Sequence, residues 1–543
     1  MSKEVNRAAL YFHTIRYLKP EQILWRIYYQ IWKRTSRRNF LKRCLTGSFP
    51  AKASSLKLSP GLTASCCCIV PRTFVFLGYE KSFRGRINFN FTDAGKLWAY
   101  HLNYFDWLNQ PGMDARTGLD HIREFIAGLI PNSVGLEPYP ISLRVINWIK
   151  FCCRHEIDDQ QITNSLAAQF RILQRSLEYH LLGNHLLENG FAMIFGAYYL
   201  NNPELYRYAR KILLRELKVQ ILSDGMHFEL SPMYHRILLH RLLDCINLAS
   251  QNSFCGDAKL MAQLHDAAAR MRGAMTQLSF GSGEMPLFND AADGMAPDVP
   301  ALHAYADSLG IAVCSVPLGE CGYRKIRSGC AELIVDVGKI GPDYLPGHAH
   351  ADTLSFELAI DGCRMIVDSG VSTYEPGAER LRQRGTSAHN TVEIDGEDSS
   401  EVWGSFRVAR RAKPFGLSFT EEDDETILVR CTHDGYRRLP GHPVHWREWR
   451  LGTHLLKIHD VIHGEFKSAT GRIHFHPSVV SERRDDQHFL FHFPDGPAIS
   501  CTVIRGYSRL ISDFYHPAFG VSVLNPCLEI KFGSTETEIV LNW

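Results

Sequence analysis

Side chains able to do chemistry collect in a few short segments of this 543-residue chain. In GNHLLENG, Asn184, His185 and Glu188 open an apolar-periodic run, and the i, i+3 spacing puts His185 and Glu188 on one helix face. They form an oriented base, or Asn184 simply caps the helix and His185 packs beside it. In DGMHFELSPMYH, Ser231 is an N-cap residue and Pro232 a first-turn residue, which puts Tyr234 in the first turn. There the positive end of the helix favours a phenolate and lowers the tyrosine pKa from about 10, as acid/base work near neutrality requires. The competing reading of Tyr234 is an amphipathic core residue.

The densest cluster is PGHAHADTLSFEL, followed by IVDSG and RGTSAHNTVEIDG. His348 and His350 are two apart and project to one side of an extended chain. His350, Asp368 and His389 make a nitrogen/oxygen set suited to zinc, with manganese or calcium as less specific occupants. A hairpin turn at Asp361-Gly362 counts against that set, because its simple register pairs Asp368 with Ser355 and leaves His350 about 16 Å beyond. The chain before Thr353 must therefore bend back. In KLWAYHLNYFDWL and EPYPISLRVINWIKF, the residues Trp98, His101, Tyr104, Tyr139, Arg144 and Trp148 either line a sugar-binding cleft or belong to the core. Arg382 and Arg384 are candidates for gripping an anion.

These segments need two kinds of scaffold. From residue 6 to 275 apolar residues recur at three- and four-residue spacing, predicting helices over 20–33, 94–109, 141–155, 159–182, 185–200, 203–221, 232–250 and 257–278. After Cys321, runs such as AELIVDVG, CRMIVDSG and HLLKIHDVI alternate or are β-branched, which predicts antiparallel strands. The stretch 278–322, rich in Gly, Pro and Asp, reads as a linker. The expected fold class is multidomain: a helical lead-in over 1–90, an incomplete (α/α) toroid over 91–315 and an antiparallel β-sandwich over 316–543.

Composition narrows the function. Sixty Lys and Arg against 58 Asp and Glu give a net charge of +2, which excludes the single-sign field of a dedicated nucleic-acid binder. The fifteen cysteines are scattered and odd in number, so they read as reduced thiols. No apolar run is long enough to span a bilayer, and no signal peptide is visible. The expected location is cytoplasmic, or periplasmic or secreted if a leader has been removed. Oligomeric state is not legible.

Taken together, NHLLENG, DGMHFELSPMYH, GHAHADTLSFEL, IVDSG and AHNTV resemble the heparinase II/III group of polysaccharide lyases, and the likeness runs from YLKPEQILWR through the strand-rich half. The resemblance implies β-elimination on an anionic, uronate-containing polysaccharide in a cleft between toroid and sandwich. It makes Tyr234 and His348 the acid/base pair and gives Asn184 and His185 the substrate carboxylate to neutralise. Glu188 supports them. Tyr104, Tyr139, Arg144, Trp148 and Arg384 are expected substrate contacts on their residue types alone, since aromatic faces stack on sugar rings and Arg grips carboxylates. The resemblance makes His350, Asp368 and His389 the metal ligands. In such a reaction the proton at C5 lies beside a carboxylate, and its removal builds a dianion that well-placed donors stabilise by about 3 kcal/mol each. Two other functions fit the chain less well. One is a glycoside hydrolase recruiting two of Glu137, Glu188, Glu229, Asp290 and Asp293; the other is a glycan-binding or assembly protein of an exopolysaccharide pathway.

Overall fold

The computed structural model describes residues 7–47, 53–70, 72–130, 132–422 and 426–543. Up to residue 308 the order is helical apart from a small three-stranded sheet within 68–82; from Tyr323 it is built mainly of strands. The helices that carry the site are Pro138–Arg154, Gly183–Tyr199 and Pro232–Gln251, which pack on one another in an apolar core running through the helical half. Pro stands in the first turn of two of them, where its fixed φ suits the helix and no backbone donor is lost. Among the described residues no helix is long and apolar enough to cross a membrane.

Several boundaries differ from the periodicity. The expected 94–109 helix is Lys96–Tyr104 followed by a 3-10 turn, because Phe105 sits at φ 59° and ends the α-helix. The 159–182 helix stops at Arg175: Ser176 bonds back to the Ile172 carbonyl, and Glu178 is diverted toward Asn189 and His185. The lead-in holds helices over Arg7–Ile15 and Arg37–Thr46, and Ala115–Ala127 adds one beyond those the periodicity predicts. Val299–Ser308 turns part of the expected linker into a helix against Pro232–Gln251.

The strand-rich half holds three main antiparallel sheets. One has four strands over Tyr323–Ile366, with Leu358 paired to Ile366 around the turn at Asp361 and Gly362, both at positive φ as a two-residue hairpin demands. A second orders Tyr507–Tyr515, Val523–Lys531, Ala469–His474 and Val392–Ile394. The third has eight strands, and the inward faces of all three share one apolar core that includes Leu358, Trp449, Ile473 and Leu528. None of the fifteen cysteines is in a disulfide.

Candidate active site

Tyr234 and His348 come from the two halves of the chain and meet face to face: their ring centroids are 3.9 Å apart and the planes 29° apart. Each is set by its local sequence. The Ser231 hydroxyl caps the Tyr234 backbone N–H at 3.2 Å and donates to the Asp290 carbonyl at 2.6 Å, tying the helix start to the chain that faces the sheet. His348 is aimed by Asp290, whose Oδ2 stands 2.9 Å from Nδ1, and its Nε2 faces Glu229 at 3.3 Å. The expectation that helix position lowers the Tyr234 pKa fails. Burial outweighs the helix end and pushes the phenol up, so the free protein holds Tyr234 protonated.

Asp290 organises this wall. Its two oxygens accept both terminal nitrogens of Arg380 at 2.6 and 2.7 Å, and Oδ1 also faces His350 Nε2 at 2.9 Å. Burial works against the charge on Asp290, but Arg380 and the two imidazoles outweigh it and hold the carboxyl well below the usual range. His348 and His350 thus do project to one side, as their spacing implies, and both reach the same carboxylate.

Asn184 and His185 extend the cluster on the helical side, with Asn184 on the same Glu229 carboxylate that faces His348. Leu182 and Gly183 take positive φ, which turns the chain sharply into the helix, so Asn184 lies inside it and caps nothing. Its backbone N–H donates to Glu229 at 2.7 Å and its amide to the two Glu229 oxygens at 2.8 and 3.1 Å. The Asn184 Oδ1 is buried without a partner. His185 pairs through Nδ1 with Glu178 at 2.9 Å, not with Glu188 as the helix spacing suggested. Burial opposes protonation of His185, but Glu178, with Glu229 and Glu188 nearby, outweighs it and raises its pKa. Tyr139 lies 4.5 Å from the His185 ring and packs with Tyr104, which brings both expected aromatics to this side of the cluster.

Other expected contacts are not cleft residues. Glu188 is fully buried, its nearest cation being Arg241 at 3.7 Å, and burial pushes its carboxyl up to about 7. Arg144 is buried and donates to Gln169 and to the Asn103 and Gly135 carbonyls. Trp148 packs between Phe105 and Phe125, and Trp98 is equally buried. Arg384 is buried with its donors on the Ala349, Gly404 and Arg407 carbonyls, where it braces the His348 loop instead of meeting an anion. Arg382 pairs with Glu379 and Asp513. Asp290, Glu229, Arg380 and Glu178 position the site; Glu229 and Asp290 are among the carboxylates considered for hydrolysis, whereas Arg380 and Glu178 carry no motif spacing that marks them.

His350, Asp368 and His389 also converge, because Leu354 at φ 65° and its bond to Asp336 turn the chain before the strand back on itself. The His350 and His389 rings are 5.2 Å apart, and His350 Nδ1 and His389 Nε2 are buried without partners. Asp368 faces His389 Nδ1 at 2.7 Å and orients that ring, while a third orphaned donor, Asp352 Oδ2, stands close by. Burial holds His350 neutral, with a pKa of about 3. The spare atoms suit a divalent cation, although the three expected ligands are not gathered within 4.8 Å of one another.

The sequence matches the family models Heparinase II/III N-terminus over residues 145–306 and Heparinase II/III-like, C-terminal over residues 312–526. The chain belongs to the heparinase II/III family. A heparin-sulfate lyase of Pedobacter heparinus is 27% identical over 252 residues, and one of Bacteroides stercoris 25% over 254. The matches cover 41% of this chain but only 38% and 37% of those relatives. A crystal structure of heparinase III superposes with a TM-score of 0.69 at 15% identity, over 96% of this chain and 91% of that one. Heparan sulfate lyase HepC from Pedobacter heparinus gives 0.53 at 16%, over 94% and 83%. These likenesses carry the fold: a helical N-terminal part and a sheet-rich C-terminal part.

Proposed function

We propose that this chain cleaves a uronate-containing polysaccharide, of the glycosaminoglycan kind, by β-elimination. The observation that carries the reading is the stack of Tyr234 on His348 across the two halves, joined to Asn184 through the Glu229 carboxylate that both His348 and Asn184 meet. His185, raised in pKa, and the Asn184 amide neutralise the substrate carboxylate and acidify the adjacent C5 proton. That electrostatic contribution is worth about 3 kcal/mol per donor. His348 takes the proton through Nε2 once substrate displaces Glu229 from it. Tyr234, held as a phenol by burial, protonates the departing 4-oxygen.

The scaffold of this reading is an incomplete (α/α) toroid over 91–315, preceded by a lead-in and followed by a β-sandwich from 316, with the cleft between them. His350 and His389, oriented by Asp290 and Asp368, would hold zinc or another divalent cation that stiffens the His348 loop. A cation held there would supply structure and charge, and proton transfer stays with Tyr234 and His348.

A panel of uronate polymers followed by the ultraviolet absorbance of the new C4–C5 double bond tests the proposal. Absorbance should rise with at least one polymer and fall by about 10²- to 10⁴-fold in Tyr234→Phe. Chain shortening without absorbance would instead mean hydrolysis, and binding with unchanged polymer length would mean an assembly role.

A further inference from the structure

A second set of donor atoms lies on the four-stranded sheet. His474 stands directly opposite Cys527 in the antiparallel register, and on the next strand Asp513 stands opposite Asn525. Alternation puts these four side chains on one face. The other face carries Ile473, Leu528 and Ile530 into the shared core. His474, Cys527 and Asn525 are all buried, beneath the segment that carries Asn390. Among the described residues, only His474, Asp513 and Cys527 bring three ligand atoms within 4.8 Å of one another.

The state of His474 is fixed by its neighbours. Asn390 donates its amide hydrogens to the Phe356 and Val367 carbonyls at 2.8 and 2.9 Å, so its Oδ1 is the acceptor. That oxygen receives the His474 backbone N–H at 2.7 Å and stands 3.3 Å from Nδ1, which therefore carries the ring proton. Nε2 is left facing Asp513 Oδ2 at 3.2 Å, with the Cys527 thiol beside them. A lone pair aimed at a carboxylate is repulsive, so Nε2 there needs a proton or a cation. A further orphan points the same way: Asn525 gives its amide to the Phe475 carbonyl at 2.8 Å, and its buried Oδ1 has no partner.

We infer that His474 Nε2, Cys527 Sγ and Asp513 Oδ2 form a zinc site, with Asn525 Oδ1 or water as the fourth donor. Imidazole, thiolate and carboxylate together favour zinc over calcium or magnesium. Two anionic ligands cancel its charge, and binding releases the Cys527 proton to solvent. Asp513, 20% exposed, is the way in, and Arg382 Nη1 holds its other oxygen at 3.2 Å. The ion would cross-link three strands and brace Asn390, the residue after His389.

Cobalt replacement tests this on the full chain, stripped of metal by a chelator. The His350–Asp368–His389 set contains no sulfur, so a thiolate-to-cobalt charge-transfer band reports the new site alone. One equivalent of such cobalt per chain is expected, displaced by zinc, kept in His350→Ala and lost in Cys527→Ser. Asp513→Asn, at a partly exposed position, should keep the band and weaken cobalt binding by about tenfold or more; it decides the matter if Cys527→Ser does not fold. No band in the folded parent, a band undiminished in folded Cys527→Ser, or unchanged affinity in Asp513→Asn overturns the site and leaves His474 as an imidazolium paired with Asp513.

Discussion

Asp290 and Arg380 face each other through two parallel hydrogen bonds of 2.6 and 2.7 Å, both side chains fully buried. The pair does more than neutralise itself, since the same carboxylate aims His348 and His350. Asp290→Asn keeps the shape but leaves the Arg380 charge unpaired. It should cost about 3–5 kcal/mol in denaturant unfolding. Elimination should fall by about a hundredfold or more in the protein that remains folded, because His348 loses the group that orients it.

Burial opposes protonation of His185, and Glu178 is the largest of the influences that raise its pKa. If His185 must be protonated to meet the substrate carboxylate, activity should fall as pH rises through its raised pKa. Glu178→Gln removes the largest raising influence while burial still pulls the value down, so the alkaline limb of kcat/KM should move to lower pH. The same linkage acts on stability: the His185–Glu178 contribution is present below the unfolded His pKa of about 6.5 and is lost as pH rises through the folded value. A profile identical to the parent's would remove His185 from the charged role.

Glu188 predicts a pH dependence of stability through its own buried carboxyl. Its folded pKa of about 7 lies above the ordinary 4.5, so the folded state holds a proton that the unfolded state releases. The resulting stability is complete below pH 4.5 and lost as pH rises through 7, an effect of order 1–3 kcal/mol. Glu188→Gln should remove this decline, so that parent and variant diverge between pH 5 and pH 8 in chemical denaturation. Parallel curves would mean that Arg241 keeps Glu188 ionised.

How much of this was legible follows from what each feature depends on. The helix carrying Tyr234 and the Asp361-Gly362 hairpin were readable because cap, proline and turn chemistry are local. The return of His350 toward Asp368 was not, since it depends on Leu354 at positive φ, a conformation no leucine advertises. Glu178 and Arg380 carry no spacing signal, and Glu229 and Asp290 are legible only as carboxylates for a different reaction; all four matter because folding brings them to Asn184, His185 and His348. Arg144, Trp148 and Arg384 misled in the opposite way. Arginine and tryptophan suit both a sugar cleft and a core in which backbone carbonyls need donors, and only burial separates the two uses.

Arg384 gives the clearest test of that separation. A guanidinium gripping substrate would, on removal, raise KM and leave the fold alone. Here all its bonds go to the Ala349, Gly404 and Arg407 carbonyls, with the side chain buried. Arg384→Met leaves those carbonyls unpaired, at about 1–3 kcal/mol for each that water cannot reach. Thermal unfolding should therefore shift down by several degrees, while KM per folded molecule changes by less than about twofold. A large rise in KM at unchanged stability would return Arg384 to the cleft.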